Sequence, residues 1–240
     1  MRLELLTWAD IEAYLKTKDV ILVPIGSTEQ HGPNGLLGTD HLAAEAIARE
    51  AGTRAGTIVS PTIPFGMSHH HMGFPGTISL SPETLLALMK DIVSSLYRHG
   101  FRRFYVVNGH GGNTPTLGAS FSSILSDCPR ASFKIASWWL LPEITELAGT
   151  LFGGREGHHA TPSEVSLTAH LHPDRVREIP ECRVQPVSYP WPVSPERFRE
   201  IFPDGRMLSD PSLARPEHGK RFLNTAADAI AKDLAAFSIL

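Results

Sequence analysis

Three short segments of this 240-residue chain carry side chains that bind divalent metals. They are Glu29-Gln30-His31 followed by Asp40, then Asn108-Gly109-His110-Gly111-Gly112-Asn113, then His159-Ala160-Thr161-Pro162-Ser163-Glu164. Mixed histidine and carboxylate ligation is what a hydrolytic divalent-metal site needs, because hard oxygen and borderline nitrogen donors together suit Zn²⁺, Mn²⁺ and Fe²⁺. The residues therefore point to a metal-dependent hydrolase.

Each segment also has a purely structural reading. Glu29 and His31 are two positions apart, so in an extended segment both point the same way. They could reach one ion or two adjacent ions, or be solvated loop residues. Asp40 falls at a helix start, where its carboxylate could bridge two ions or simply serve as the N-cap. In Asn108–Asn113, glycines flank a histidine straight after a strand, which lets the backbone turn tightly beside a ligand. No Lys-Ser/Thr follows, so the loop is not a phosphate-binding P-loop. Thr161-Pro-Ser-Glu164 is written as a capping box, with Glu164 reaching back to the cap. Within His69-His70-His71, His71 is the candidate substrate contact, beside Phe74-Pro75-Gly76-Thr77, and Thr77 joins it. Trp138 and Trp139 end an expected strand. They could wall a planar substrate or pack in the core.

The elements that must position these residues alternate between strand and helix. Thr7 opens a short first helix. Val20–Pro24 is a continuous apolar run of the kind a buried parallel strand shows. A helix follows over Asp40–Ala51, ending at Gly52. Thr57–Ile63 is a second strand candidate. Ser81 caps a helix from Pro82 to His99 that closes on Gly100. Phe101–Val107 and Lys134–Trp139 are further strands. Asn113 and Thr161 open helices reaching about Asp127 and Leu171. The Pro-rich stretch 173–215 reads as an irregular excursion, and Glu217–Phe237 as an amphipathic terminal helix. This pattern predicts one α/β domain over 1–240, a three-layer α/β/α arrangement with a mostly parallel sheet. Ligands bind outside the carboxyl ends of such strands, which puts Glu29, His31, Asp40 and His110 on one rim.

Bulk properties narrow the partners. A formal net charge of −3 does not suggest a nucleic-acid or anionic-membrane surface. No apolar run reaches membrane-spanning length, and the first residues lack signal-peptide features. The two cysteines form no CxxC pair, so a reducing cytoplasm is expected.

Taken in order, Gly26-Ser-Thr-Glu-Gln-His-Gly32 with Thr39-Asp40, Phe74-Pro-Gly-Thr77, Asn108-Gly-His-Gly-Gly-Asn113, His159-Ala-x-x-x-Glu164-x-Ser166 and Ser209–Gly219 resemble the creatininase (creatinine amidohydrolase) family. The resemblance spans about residues 20–225. It implies a two-metal centre, most often zinc, with manganese or iron as alternatives, in a homo-oligomer, commonly a hexamer. It also implies hydrolysis of a non-peptide or cyclic C–N amide bond in a small-molecule substrate by a metal-activated water. Carried over by position, Glu29 and His110 hold one ion, His31 the other, and Asp40 bridges them. His159 matches the catalytic histidine. Creatininase proper has a glutamate where this chain has Gly112, and Glu164 is the substitute ligand. Thr161-Pro-Ser stands where many members read Gly-Glu-x. The Gly-Gly version also occurs in relatives that resemble a formamide deformylase or a peptide-trimming hydrolase of cofactor biosynthesis. A non-catalytic metal-binding protein on the same scaffold is the reading from another class.

Overall fold

The computed structural model describes residues 1–175, 177–183, 187–189 and 191–238. Twelve elements carry the described fold: α1 (Trp8–Leu15), β1 (Val20–Ile25), α2 (Thr39–Ala55), β2 (Ile58–Val59), α3 (Pro82–His99), β3 (Arg103–Asn108), α4 (Thr114–Asp127), β4 (Ser132–Ser137), α5 (Pro142–Phe152), α6 (Pro162–Leu171), α7 (Pro195–Ile201) and α8 (Pro216–Phe237). The four strands form one parallel sheet in the order β2-β1-β3-β4. All six residues of β1 are buried, as a central parallel strand covered on both faces requires.

Alternation along the strands divides the core in two. Val20 and Leu22 of β1, with Tyr105 and Val107 of β3, pack against Ala43 and Ile47 of α2, Leu167 of α6 and Phe222, Ala226 and Ile230 of α8. Ile21, Val23, Phe104 and Val106 point the other way, onto Leu85, Met89 and Val93 of α3 and Leu117 and Phe121 of α4. The molecule is thus helix, sheet, helix in cross-section. Local signals set the helix ends. Thr7 and Asp10 make a reciprocal capping box on α1, and Ser81 caps α3 with Pro82 at its first turn.

Several boundaries differ from the sequence reading. Helix α2 runs through Gly52 and closes on the left-handed Gly56. The second strand shortens to Ile58–Val59 plus one bridge between Ile25 and Ile63. Strand β4 ends at Ser137, and Trp138–Leu140 form a 3-10 turn instead. Helix α5 has no counterpart in the sequence reading. The stretch 173–215 is largely without regular structure but contains α7; its positions 176, 184–186 and 190 lie outside the described residues.

Candidate metal centre

The register brings Ile25, Asn108 and Ser137 to one level at the carboxyl edge of the sheet. The loop after β1 folds back sharply there. Glu29 N–H donates to Leu37 O at 2.8 Å, and Gly35 N–H donates to His31 O at 3.0 Å. Asp40 is the second residue of α2. Gly38 is the N-cap and no side chain caps that helix, so the Asp40 carboxylate is free for another task. After β3, Asn108 clamps the turn: its Oδ1 accepts from His110 N–H at 3.1 Å, and its Nδ2 donates to His110 O at 2.8 Å. A side chain at Gly109 would put Cβ 2.1 Å from Asp40 O, so only glycine lets this loop lie against the start of α2. His159 precedes Ala160, whose φ of 52° is unusual for a residue with a side chain. Ser209 Oγ donates to His159 O at 2.6 Å and holds the strained turn.

These segments converge. His31 Nε2 lies 2.9 Å from Asp40 Oδ1. His110 Nδ1 lies 3.2 Å from Asp40 Oδ2 and 3.3 Å from Glu29 Oε1. His159 Nδ1 lies 3.6 Å from Glu29 Oε1. Glu29, His31, Asp40, His110 and His159 are all buried. Yet Glu29 Oε1, Glu29 Oε2, His31 Nε2 and Asp40 Oδ2 have no hydrogen-bond partner among the described residues. Leaving so many buried polar atoms unsatisfied is costly unless something fills the gap.

The other ring nitrogens show what fits. His31 Nδ1 is 3.2 Å from Glu29 O, His110 Nε2 is 3.0 Å from Met67 O, and His159 Nε2 is 2.7 Å from Gln30 O. A carbonyl only accepts, so each ring donates there and turns its other nitrogen toward the carboxylates. A nitrogen facing carboxylates demands a cation between them, either its own proton or a metal ion. Histidine ligands are held by this same outer hydrogen bond. Ligand atoms lie within 4.8 Å of one another in three groups: Glu29, Asp40 and His110; His31, Asp40 and Glu164; and Glu29, His31 and His159. The donor set fits two divalent ions sharing Asp40.

Electrostatics agree. Burial opposes charging of His31, but Asp40, Glu164 and Glu29 together outweigh it and push the pKa up to about 10. Burial likewise opposes charging of His110, and Glu29 and Asp40 together outweigh it, so that pKa is raised well above the ordinary value. Burial works against ionising Asp40, yet His31 holds its pKa well below the usual carboxylate range. The carboxylates thus draw positive charge to this point. His159 behaves differently: burial, with His31 second, holds its pKa well below the ordinary value. Burial pushes Glu164 up to about 7.

Glu164 does two things. Its Oε2 accepts from Thr161 N–H and from Thr161 Oγ1, each at 2.9 Å, completing the capping box. The same carboxylate lies in ligand range of His31 and Asp40. At Gly112, a Cβ would meet Met67 O at 2.4 Å and His110 Nε2 at 2.5 Å, so this backbone has no room there for a glutamate.

A cavity of about 740 Å³ opens over the cluster, lined by Asp40, His110, His159 and Glu164 and by the apolar Trp139, Leu140 and Trp191. His71 also lines it but is nearly fully buried. Thr77 is not among the lining residues; its Oγ1 accepts from Gln30 N–H at 3.2 Å. Trp138 corrects the expected aromatic wall. It packs in the core with Tyr105, Ile144 and Phe152, because the 3-10 turn after Ser137 sends it inward while Trp139 lines the cavity. Sequence reasoning missed Gln30, though it sits between two expected ligands. It also missed the Met67 carbonyl, which no side chain announces.

Comparison with known proteins matches the family model described as Creatininase: Creatinine amidohydrolase over residues 4–234. The chain is 30% identical over 246 residues to the creatinine amidohydrolase of Pseudomonas putida, covering 94% of this chain and 93% of that protein. It is 30% identical over 223 residues to the mycofactocin precursor peptide peptidase of Mycolicibacterium smegmatis, covering 88% and 84%. A crystal structure of creatinine amidohydrolase superposes with a TM-score of 0.85 at 28% identity, covering 99% of this chain and 97% of that one. Two further creatininase structures, one described as a mutant of Zn-Zn type and one as the Mn form, each give 0.83 at 27% and 28% identity, covering 99% of this chain and 98% of theirs.

Proposed function

Because this chain belongs to the creatininase family, we propose that it is a metal-dependent amidohydrolase that cleaves a non-peptide or cyclic C–N amide bond of a small molecule. The observation that carries this reading is the convergence of unpartnered Glu29, Asp40 and His31 atoms with imidazoles whose other nitrogens are tied to main-chain carbonyls. Glu29, Asp40 and His110 would hold one ion, and His31, Asp40 and Glu164 would hold the second. Zinc is the proposed metal, with manganese or iron as alternatives; Zn-Zn and Mn forms of creatininase support the choice of divalent ions. When bound, such ions supply Lewis acidity and lower the pKa of water toward about 7.

The chain's own residues do the rest. His159 is neutral near neutral pH, with its Nδ1 lone pair facing the cluster. It would take a proton from the attacking water at Nδ1 and pass it to the leaving nitrogen as the C–N bond breaks, while the bond from Nε2–H to Gln30 O holds the ring in place. Trp139 and Leu140 give the substrate an apolar wall and exclude water. Tied up in the core and in the Gln30 loop, Trp138 and Thr77 are left structural roles.

The family match from residue 4 to 234 supports one domain over the whole chain. We place it in the cytoplasm as a homo-oligomer, hexameric as the family resemblance implies. Its two free cysteines fit a reducing compartment, and no helix among the described residues is long and apolar enough to cross a membrane. A second reading, trimming of a peptide end or a formamide, is favoured by one observation. A glutamate does not fit at Gly112, so the site departs from creatininase proper.

The test is a panel of cyclic amides, formamides and short peptides, offered to protein stripped by chelator and to protein reloaded with Zn²⁺ or Mn²⁺. At least one amide should turn over only with metal. Tight metal binding without turnover of any panel member would support the non-catalytic reading.

A further inference from the structure

Four imidazoles meet at the carboxyl edge of the sheet, and one is wired in the opposite sense. His31, His110 and His159 donate to main-chain carbonyls and turn their other nitrogens inward. His71 Nδ1 instead lies 2.8 Å from Gln30 Nε2. An amide nitrogen only donates, so His71 Nδ1 must accept.

The orientation of that amide is not free. Gly32 N–H donates to Gln30 Oε1 at 2.9 Å, and Gln30 Nε2 donates to Gly205 O at 2.9 Å. A flipped amide would set carbonyl against carbonyl and N–H against N–H. Gln30 Nε2 also lies 3.0 Å from His159 Nε2. That nitrogen carries the proton it donates to Gln30 O, so the second amide hydrogen is left to His71. A proton on His71 Nδ1 would face this hydrogen, donor against donor. The ring proton must therefore sit on Nε2, which lies 3.4 Å from Glu29 Oε1.

We infer that Gln30 is a positioning residue: its side-chain amide fixes His71 as an N–H donor toward Glu29, and its backbone carbonyl fixes His159 with Nδ1 bare. His71 is then neither a ligand nor a substrate contact. It turns a neutral ring N–H toward one oxygen of Glu29 and orients that carboxylate, as outer partners of metal ligands do. Its own lone pair is used up by Gln30 and cannot compete for the ion. Gln30 thus sets the same Nε2–H tautomer on two neighbouring rings but turns them opposite ways, His71 with its proton and His159 with its lone pair toward Glu29; their centroids are 4.2 Å apart. The functional consequence rests on the reading of Glu29 as a ligand; the tautomers do not.

Long-range ¹H–¹⁵N correlation on histidine-labelled protein, metal-free and zinc-loaded, reads each ring's tautomer. Spectra of His71→Gln and His159→Gln variants supply the assignments. Both rings are expected neutral with the proton on Nε2. A proton on His71 Nδ1, or a doubly protonated His71, would overturn the inference, and this measurement on the parent chain decides even if variants fail to fold. In Gln30→Glu the introduced carboxylate accepts where the amide donated. His71 should gain a proton on Nδ1, and zinc affinity should fall about 10–100-fold, the usual effect of losing an outer partner. An unchanged His71 tautomer with unchanged zinc affinity in that variant would also overturn it. A zinc-loaded parent that hydrolyses no amide contradicts the proposed function and leaves the tautomers standing. An active enzyme with His71 protonated on Nδ1 does the reverse.

Discussion

Glu164 and Thr161 are joined by a complete capping box, yet that cap uses only one of the two Glu164 carboxylate oxygens. The carboxylate also stands in ligand range of His31 and Asp40. Capping and ligation are therefore compatible tasks of one side chain. Glu164→Gln separates them, because glutamine also serves at this position of a capping box but is a far poorer ligand. Below about pH 6, where Glu164 is itself protonated, thermal stability of the metal-free variant should barely move. One of two bound zinc ions should be lost or weakened while the one at Glu29 and His110 stays. Titration showing two full-affinity sites with normal turnover would return Glu164 to capping alone.

His159→Ala should keep both ions and lose about 10²–10⁴-fold in kcat, the usual worth of a positioned acid–base group. Zinc content and kcat are measured on the same preparation. Loss of zinc would make His159 a ligand, in keeping with its proximity to Glu29 and His31. Unchanged kcat would remove it from the reaction.

Stability of the metal-free protein should fall as pH rises from about 7.5 to about 10. His31 titrates up at about 10 in the folded chain against an ordinary 6.5, so its contribution is full below 6.5 and lost as pH rises through 10. Glu164 acts in the same direction at lower pH: its folded pKa of about 7 exceeds the ordinary 4.5, so its effect falls mainly between those values and is nearly spent above about 7.5. The depressed pKa values of His71 and His159 act oppositely but are exhausted once the pH is well above 6.5. Zinc must displace the His31 proton, so zinc stabilisation should grow over the same range. Melting curves with chelator and with zinc across this range should diverge; a metal-free Tm that climbs with pH would contradict the assignment.

Gly112→Ala should destabilise the chain by about 1–3 kcal/mol, the cost of forcing extra atoms into a packed site. The new methyl would meet Met67 O at 2.4 Å and His110 Nε2 at 2.5 Å. The same variant should weaken zinc binding, because His110 must move. Denaturant unfolding and zinc titration check both, and a neutral result would show that the loop can widen.

Much of the site was legible because its donors sit in short motifs at predictable places. His110 follows an apolar strand, and Glu164 sits three residues after a Thr-Pro helix start. Pro82–His99 was readable to the residue, since Ser81 and Gly100 mark both ends. What the sequence concealed lies in through-space relations. Trp138 and Trp139 are equivalent in hydrophobicity, and only the end of β4 at Ser137 decides which ring enters the core. Asp40 resembles an N-cap in sequence, but α2 begins one residue earlier at Thr39. The partner of His110 is the backbone carbonyl of Met67, which has no sequence signature.

Anomalous diffraction from zinc-soaked crystals tests the two-ion centre most directly. Two peaks are expected: one about 2.0–2.2 Å from Glu29, Asp40 and His110, and the other equally close to His31, Asp40 and Glu164. A single peak, or zinc bound away from Asp40, would contradict the account.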